Sequence, residues 1–216
     1  MFCGGEQCWH ENWRNHKNPA IIGLHSDEIT PDIFASQRPS TCLMKQYNLI
    51  QKFKEKNIGL IVNLQLEGEH SLCGPQMNQK LLQYNEANQK SGCLEPSGFS
   101  YNPNDFISED IQVRISGWED MTVPESLVYM LDIVKEMATM IICNKKKVLV
   151  HCHAGFGRTG MVIACYMIYT TNRTCHDIIL QIRKKRPTSI QKQIQEEFIE
   201  KFYQCNKLTN FIIKYF

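Results

Sequence analysis

The run Val148-Leu149-Val150-His151-Cys152-His153-Ala154-Gly155-Phe156-Gly157-Arg158-Thr159-Gly160 places a nucleophile, a planar cation and several glycines close together. Three apolar residues read as the end of a buried strand, the glycines as a tight turn, and Arg158 onward as the start of a helix. Consecutive backbone N–H groups in such a turn, with a helix N-terminus behind them, form a cradle for an anion. Gly155, Gly157 and Gly160 supply the permissive backbone that a close wrap needs. Cys152 stands at the mouth of that cradle, where an electropositive surrounding favours thiolate over thiol. Arg158 can fold over the same anion with a bidentate fork. A thiolate facing a clamped phosphate suits in-line attack on phosphorus, giving a thiophosphoryl enzyme. His153, Ala154, Gly155, Phe156, Gly157 and Arg158 would then bind the phosphate, and the Thr159 hydroxyl would steady the sulfur as it leaves.

Two plainer readings compete. A nucleotide-binding loop would need a lysine after its glycines, and none follows here. A structural cysteine at a strand end is the usual fate of that residue type. With His151 before it and Arg158-Thr159 at a fixed offset, catalysis is the reading that uses all the residues. Three other motifs have weaker patterns. Cys3, Cys8, His10 and His16 match no strong zinc spacing, so no metal and no cofactor is expected. Lys184, Lys185 and Arg186 read as a solvated helix end able to steer acidic peptides. The acceptor sequence Asn172-Arg173-Thr174 is expected to be silent.

The pattern His-Cys-x5-Arg-Thr-Gly resembles the signature of the protein tyrosine phosphatase superfamily, and HCHAGFGRTG matches it without gaps. The segments SQRPS (36–40), IVNLQLEGEH (61–70), GWEDMTVP (117–124) and KRPTSIQKQIQ (185–195) extend the resemblance to a dual-specificity branch related to the mitotic-exit phosphatases. That resemblance implies an Asp on a mobile loop as general acid. Trp118-Glu119-Asp120-Met121-Thr122-Val123-Pro124 is similar to this loop and points to Asp120, with Glu119 as the alternative and ordinary turn acids as the plain reading. Ser189-Ile190-Gln191 and Gln195 resemble the glutamine loop that positions water, although unaided they read as an exposed polar helix start. His151 is expected to orient the strand end, and Glu67, Glu69 and His70 to rim the pocket or lie in a solvated loop.

The substrates implied are phosphoproteins, with phosphotyrosine and phosphoserine or phosphothreonine both accepted. His153 and Phe156 stand where phosphoinositide phosphatases of this type often carry basic residues, which disfavours a lipid head group. The chain also holds no segment resembling the phosphotyrosine recognition loop of tyrosine-specific members. Rival readings are a pseudophosphatase that only binds, and a phosphoinositide or RNA 5′-phosphate hydrolase. The N-terminus lacks the apolar stretch of a signal peptide, so a cytoplasmic protein is expected, and the resemblance further implies a place at the centrosome or cilium base.

The elements that must position these residues follow from hydrophobic period. Ile21 to Ser36 reads as extended pieces broken at Pro31, Leu43–Lys56 as one amphipathic helix, and Ile58–Leu64 as a strand buried on both faces. Residues 67–97 form a long polar excursion. Further strands are expected near Phe99–Tyr101 and Ile111–Ile115. A helix starting at Pro124 with Thr122 as cap should run to Cys143, and Val148–Val150 should be a strand. Helices are expected over Met161–Tyr169, Thr174–Lys185 and Ile190–Cys205. Strands alternating with helices predict an α/β fold: a single domain with a mainly parallel four- or five-stranded sheet flanked by helices on both faces. Residues 1–20 would be an N-terminal arm and 21–216 the domain.

Composition agrees with that class. Hydrophobic residues make up 43% and charged residues 21% of the chain, ordinary for a globular domain. A net charge of +2, from 24 basic and 22 acidic residues, argues against a nucleic-acid partner. The longest apolar run, Met161 to Tyr169, is too short to span a bilayer, so no membrane insertion is expected. Without a signal-like stretch the ten cysteines read as mostly reduced. Oligomeric state cannot be read.

Overall fold

The computed structural model describes residues 16–71 and 94–215. Strands β1 (Ser26–Thr30), β2 (Ile33–Ser36), β3 (Ile58–Asn63), β4 (Gln112–Ile115) and β5 (Lys147–His151) form one sheet in the order β1-β2-β5-β3-β4. The β2–β5, β5–β3 and β3–β4 pairs are parallel, and only β1 runs antiparallel to its neighbour. The expected mainly parallel sheet of four or five strands is therefore present, with five.

Side-chain alternation on the central strands divides the core in two. Phe34, Leu149 and Ile61 stand side by side across β2, β5 and β3 and face one apolar cluster. Helices α1 (Thr41–Tyr47) and α2 (Leu49–Glu55) and the short α3 (Asn104–Ile107) cover that face with Leu43, Leu49, Phe53 and Phe106. Ala35, Val150 and Val62 form the next row and face the larger cluster. There α4 (Leu127–Ile142), α5 (Gly157–Thr170), α6 (Cys175–Lys185) and α7 (Gln193–Tyr215) pack, with α5 buried along Gly157 to Ile168. Among the described residues no helix is long and apolar enough to cross a membrane.

Several boundaries differ from the sequence expectation. The single helix over Leu43–Lys56 is two, because Asn48 takes a left-handed φ of 51° that ends α1 and begins α2. Phe99–Tyr101 is not a strand: Ser100 is tied to the segment after β2 through Ser100 Oγ to Pro39 O and Thr41 N to Ser100 O. The helix expected from Pro124 begins at Leu127, capped by Ser126, whose Oγ accepts from Tyr129 N at 3.1 Å. Thr122 instead donates its hydroxyl to Glu119 O at 2.7 Å, closing a turn before the helix. The four-residue α3 had no periodic signal to announce it.

The end of the expected arm rests on this framework, with His16 Nε2 2.8 Å from Asp27 Oδ1. Cys3, Cys8 and His10 lie outside the described residues, as does most of the 67–97 excursion.

The carboxyl ends of the parallel strands meet in one row, where Ser36, His151 and Asn63 are register partners. Ligand sites of open α/β sheets lie beyond such a row. Leu149, fully buried in the middle strand, packs there as register partner of both Phe34 and Ile61. Leu149→Ala should cost about 2–5 kcal/mol, read as a lowered urea midpoint at unchanged slope; a loss below about 1 kcal/mol would mean that the core closes over the gap.

Candidate active site

β5 ends at His151, and residues 152–156 turn tightly into α5. Gly155 makes the turn with a φ of +77°, and a Cβ there would sit 2.1 Å from Ser36 O. The loop carbonyls are bound from outside: His153 O accepts from Arg38 N, Ala154 O and Gly155 O from Arg186, and Phe156 O from Ile190 N and Gly160 N. Carbonyls held outward leave the N–H groups for the concave side. One of them, Gly155 N–H, donates to Cys152 Sγ at 3.3 Å.

Arg186 is not the solvated residue its Lys-Lys-Arg context implies. It is 1% exposed and lies behind the loop. Nε donates to Gly155 O at 2.6 Å, Nη2 to Ala154 O at 2.9 Å, and Nη1 pairs with Asp27 at 2.6 Å. Its guanidinium also covers the Phe156 ring at 4.4 Å. A buried cation is tolerated because oxygens satisfy its planar fork. No local pattern announces this, since the partners Asp27 and Gly155 are far away in sequence.

His151 orients the strand end, as expected, but its partner is Tyr101. Nδ1 faces Cys152 O at 3.0 Å, and a carbonyl can only accept, so Nδ1 carries the hydrogen. Nε2 then accepts from Tyr101 Oη–H at 2.9 Å. Burial holds this imidazole down at about 4, so it is neutral.

Arg158 is completely buried at the head of α5 and binds three segments at once. Nη1 donates to Leu64 O after β3 (2.8 Å), to Trp118 O in the loop before α4 (2.8 Å) and to Glu69 Oε2 (2.7 Å). Nη2 pairs with Glu69 Oε1 and with Asp120 Oδ1, the latter at 3.0 Å. Nε–H has no hydrogen-bond partner among the described residues. His70 completes the cluster, with Nε2 3.1 Å from Glu69 Oε1 and 3.2 Å from Asp120 Oδ2. Burial pushes the Glu69 and Asp120 carboxyls up, but hydrogen bonds and charge from Arg158 and His70 outweigh it and hold both at about 2. Glu69, His70 and Asp120 also present donor atoms within 4.8 Å of one another, a spacing a metal ion could use. Arg158 already neutralises part of that acidic charge.

Of the expected rim, Glu69 and His70 reach the site, whereas Glu67 is exposed and lies across Gly98. Glu119 is exposed and forms no ion pair with Arg158, while Asp120 does. A Cβ on Gly157 would stand 3.0 Å from Gln195 Nε2 and 3.2 Å from Gln191 Oε1, so both glutamines lie over the loop. Gln195 is fully buried, accepting from Gln191 N at 3.0 Å and donating to Thr122 O at 3.4 Å. Thr159 Oγ1 is buried and makes no hydrogen bond to Cys152 Sγ or to any other described group. The sulfur contact expected of it is therefore not formed in this arrangement. A cavity of about 780 Å³ opens onto Cys152, His153, Phe156, His70 and Asp120.

The family model for Protein-tyrosine phosphatase matches residues 46–204. Protein tyrosine phosphatase domain-containing protein 1 of Mus musculus is 39% identical over 207 residues, which cover 94% of this chain and 25% of that protein. The chain spans about a quarter of the length of the curated relatives it matches. Among solved structures, kinase associated phosphatase with a catalytic cysteine-to-serine substitution aligns with a TM-score of 0.60 at 18% identity, covering 89% of this chain and 98% of that one. A mouse putative dual specificity phosphatase complexed with zinc tungstate aligns at 0.59 and 12% identity, covering 90% and 94%. At such identities the two structures speak for the fold.

The neutral, buried His151 makes a pH prediction. Unfolded, it takes a proton near pH 6.5; folded, only near 4, so stability is full above 6.5 and falls as pH drops through this window. The drop should be about 3 kcal/mol between pH 6.5 and 4. His70, raised to about 9, loses its contribution only above neutrality, and the Asp120 and Glu69 contributions are lost mainly below pH 4.5. The difference between urea unfolding curves of wild type and His151→Asn isolates the effect. A difference independent of pH would mean that His151 takes up its proton in the folded chain.

Proposed function

The chain belongs to the protein-tyrosine phosphatase family, and on that premise we propose that it hydrolyses phosphoproteins through a cysteinyl-phosphate intermediate. The observation that carries this reading is the meeting of Asp120 and Arg158 beside the Cys152 loop, at 3.0 Å between Oδ1 and Nη2. A clamp and an acid converge where a thiol and inward-facing amides already lie.

In the first step the phosphate binds the amides of residues 153–158 and the guanidinium of Arg158. Its oxygens take the unpartnered Nε–H and displace Asp120 Oδ1 from Nη2, completing a bidentate fork. Cys152 sulfur then bonds to phosphorus as the ester P–O bond breaks. The leaving oxygen takes a proton from Asp120, whose carboxyl regains proton affinity once Arg158 has turned to the phosphate. In the second step water attacks phosphorus, the S–P bond breaks, and Asp120 takes the proton back. Gln191 and Gln195, lying over Gly157, hold that water. Thr159 supplies a hydroxyl to the returning sulfur after rotating from its present rotamer.

Acceptance of phosphoserine and phosphothreonine beside phosphotyrosine is supported by the dual-specificity branch the sequence resembles. His153 and Phe156 in the loop, where lipid phosphatases of this type often carry cations, support protein over inositol phosphates. A place at the centrosome or cilium base rests on the same resemblance alone.

Cys152→Ser should lower turnover of phosphotyrosine and phosphothreonine peptides by roughly 10⁵-fold or more while keeping phosphopeptide affinity within a few-fold. Unchanged turnover would end the covalent reading, and exclusive turnover of phosphoinositides the protein-substrate reading. Asp120→Asn should cost about 10²–10⁴-fold on phenyl phosphate and little on dinitrophenyl phosphate, whose leaving group needs no proton. Were Glu119→Ala to show that pattern instead, the acid would be Glu119.

A further inference from the structure

His70 has no role in the reaction so far described, yet the fold has fixed it in place. Its backbone adopts a left-handed φ of 54°, uncommon for a non-glycine residue. Its carbonyl accepts from Arg38 Nη1 at 3.4 Å. Its ring stacks on His153 of the phosphate loop, at 4.1 Å between centroids and 20° between planes. Stacking and backbone together aim Nε2 at the Asp120 carboxylate.

We propose that His70 is a positioning residue for the general acid: it holds Asp120 and supplies the proton that Asp120 passes to the leaving oxygen. The proposal deepens the phosphatase reading above and rests on it. In the first step the S–P bond forms, the ester P–O bond breaks, and the leaving oxygen's electron pair takes a proton from Asp120. That proton is the one His70 Nε2–H delivers to the Asp120 carboxylate, so the step leaves Asp120 ionised and the imidazole neutral. In the second step attacking water gives its proton to Asp120 and thence to His70, while the S–P electron pair returns to sulfur. Nothing is oxidised or reduced.

Charge balance supports this assignment. The groups facing His70 are Glu69 on its own segment, Asp120 on the loop before α4, Cys152 and His153 on the phosphate loop, Arg158 at the head of α5, and Arg38 after β2. With Glu69 and Asp120 ionised and Cys152 attacking as a thiolate, Arg158 and Arg38 offset two of the three negative charges. An imidazolium at His70 offsets the third, so the site meets an incoming dianion without a net negative charge. Hydrogen bonds to Asp120 and then to Glu69 hold the imidazole up at about 9, against burial. A carboxylate bridging two cations is a poor acid by itself. When phosphate claims Arg158, the bond to His70 remains, and the pair keeps a transferable proton at neutral pH.

The test is the pH dependence of kcat for the full chain on phenyl and dinitrophenyl phosphate, in wild type and His70→Gln. Glutamine keeps an N–H donor but has no proton to give. His70→Gln should lose about 10–100-fold on phenyl phosphate, stay within about two-fold on dinitrophenyl phosphate, and show its alkaline limb at least one pH unit lower. Equal losses on both esters, or an unmoved limb, would reduce His70 to a structural bridge and overturn the proposal. A wild-type chain inert toward both esters would sink the phosphatase reading, while NMR titration of the His70 imidazole would still decide the pairing. A midpoint above the ordinary value of about 6.5 that falls in Asp120→Asn supports the proposal; an ordinary midpoint in wild type overturns it.

Discussion

A guanidinium with no exposed surface organises this site. Arg158 sits at the head of a buried helix, where a charge without partners would be untenable. The fold answers by bringing to it the carbonyl that follows β3, the carbonyl of Trp118 and the carboxylates of Glu69 and Asp120. These groups come from three separate stretches of chain. The cation therefore sets the relative positions of the β3 exit, the polar excursion and the acid loop. Buried ion pairs are weak evidence for stability, because desolvation offsets much of the attraction. Their value here is register: a guanidinium fork accepts its partners in one plane only.

A second buried arginine serves the other side of the same loop. Arg186 binds the carbonyls of Ala154 and Gly155 and is itself balanced by Asp27 on β1. One cation pulls carbonyls outward while the other, at the head of α5, pairs with Glu69 and Asp120. Together with His151, locked between Tyr101 and Cys152 O, they define the loop's shape before any ligand arrives. Such prior organisation is what electrostatic stabilisation of a transition state requires, since no dipole then has to reorient during the reaction.

How much of this could be read from the sequence depended on distance along the chain. The loop was legible because Cys152, its glycines and Arg158 are contiguous and each has a chemical reason for its spacing. The buried strands were legible because β-branched apolar runs of that length have few other uses. Helix ends were less so: Asn48 breaks a pattern that reads as continuous, and Ser126 takes the cap that a start at Pro124 gives to Thr122. Tyr101 and Arg186 could not be found, because their roles come from partners dozens of residues away. Glu69 and His70 were visible only as polar residues in a turn-rich excursion. Their meaning appears once β3 delivers that turn to the mouth of the loop.

In the proposed reaction, the sharing of Arg158 between Asp120 and the phosphate has a mechanistic consequence. Asp120 Oδ1 now holds the Nη2 that a phosphate oxygen needs, so the carboxylate occupies the clamp much as a weak anionic ligand would. Replacing it by a dianion does two things at once. It fills the clamp, and it takes from Asp120 one of the two cations that keep its proton affinity low, leaving the His70 hydrogen bond in place. Binding and acid activation are thereby one exchange of partners on a single guanidinium. An acid loop that paired with solvent instead would need its proton affinity tuned by burial alone. Here the arrival of substrate relieves part of that tuning, and the groups that bring this about are already in contact.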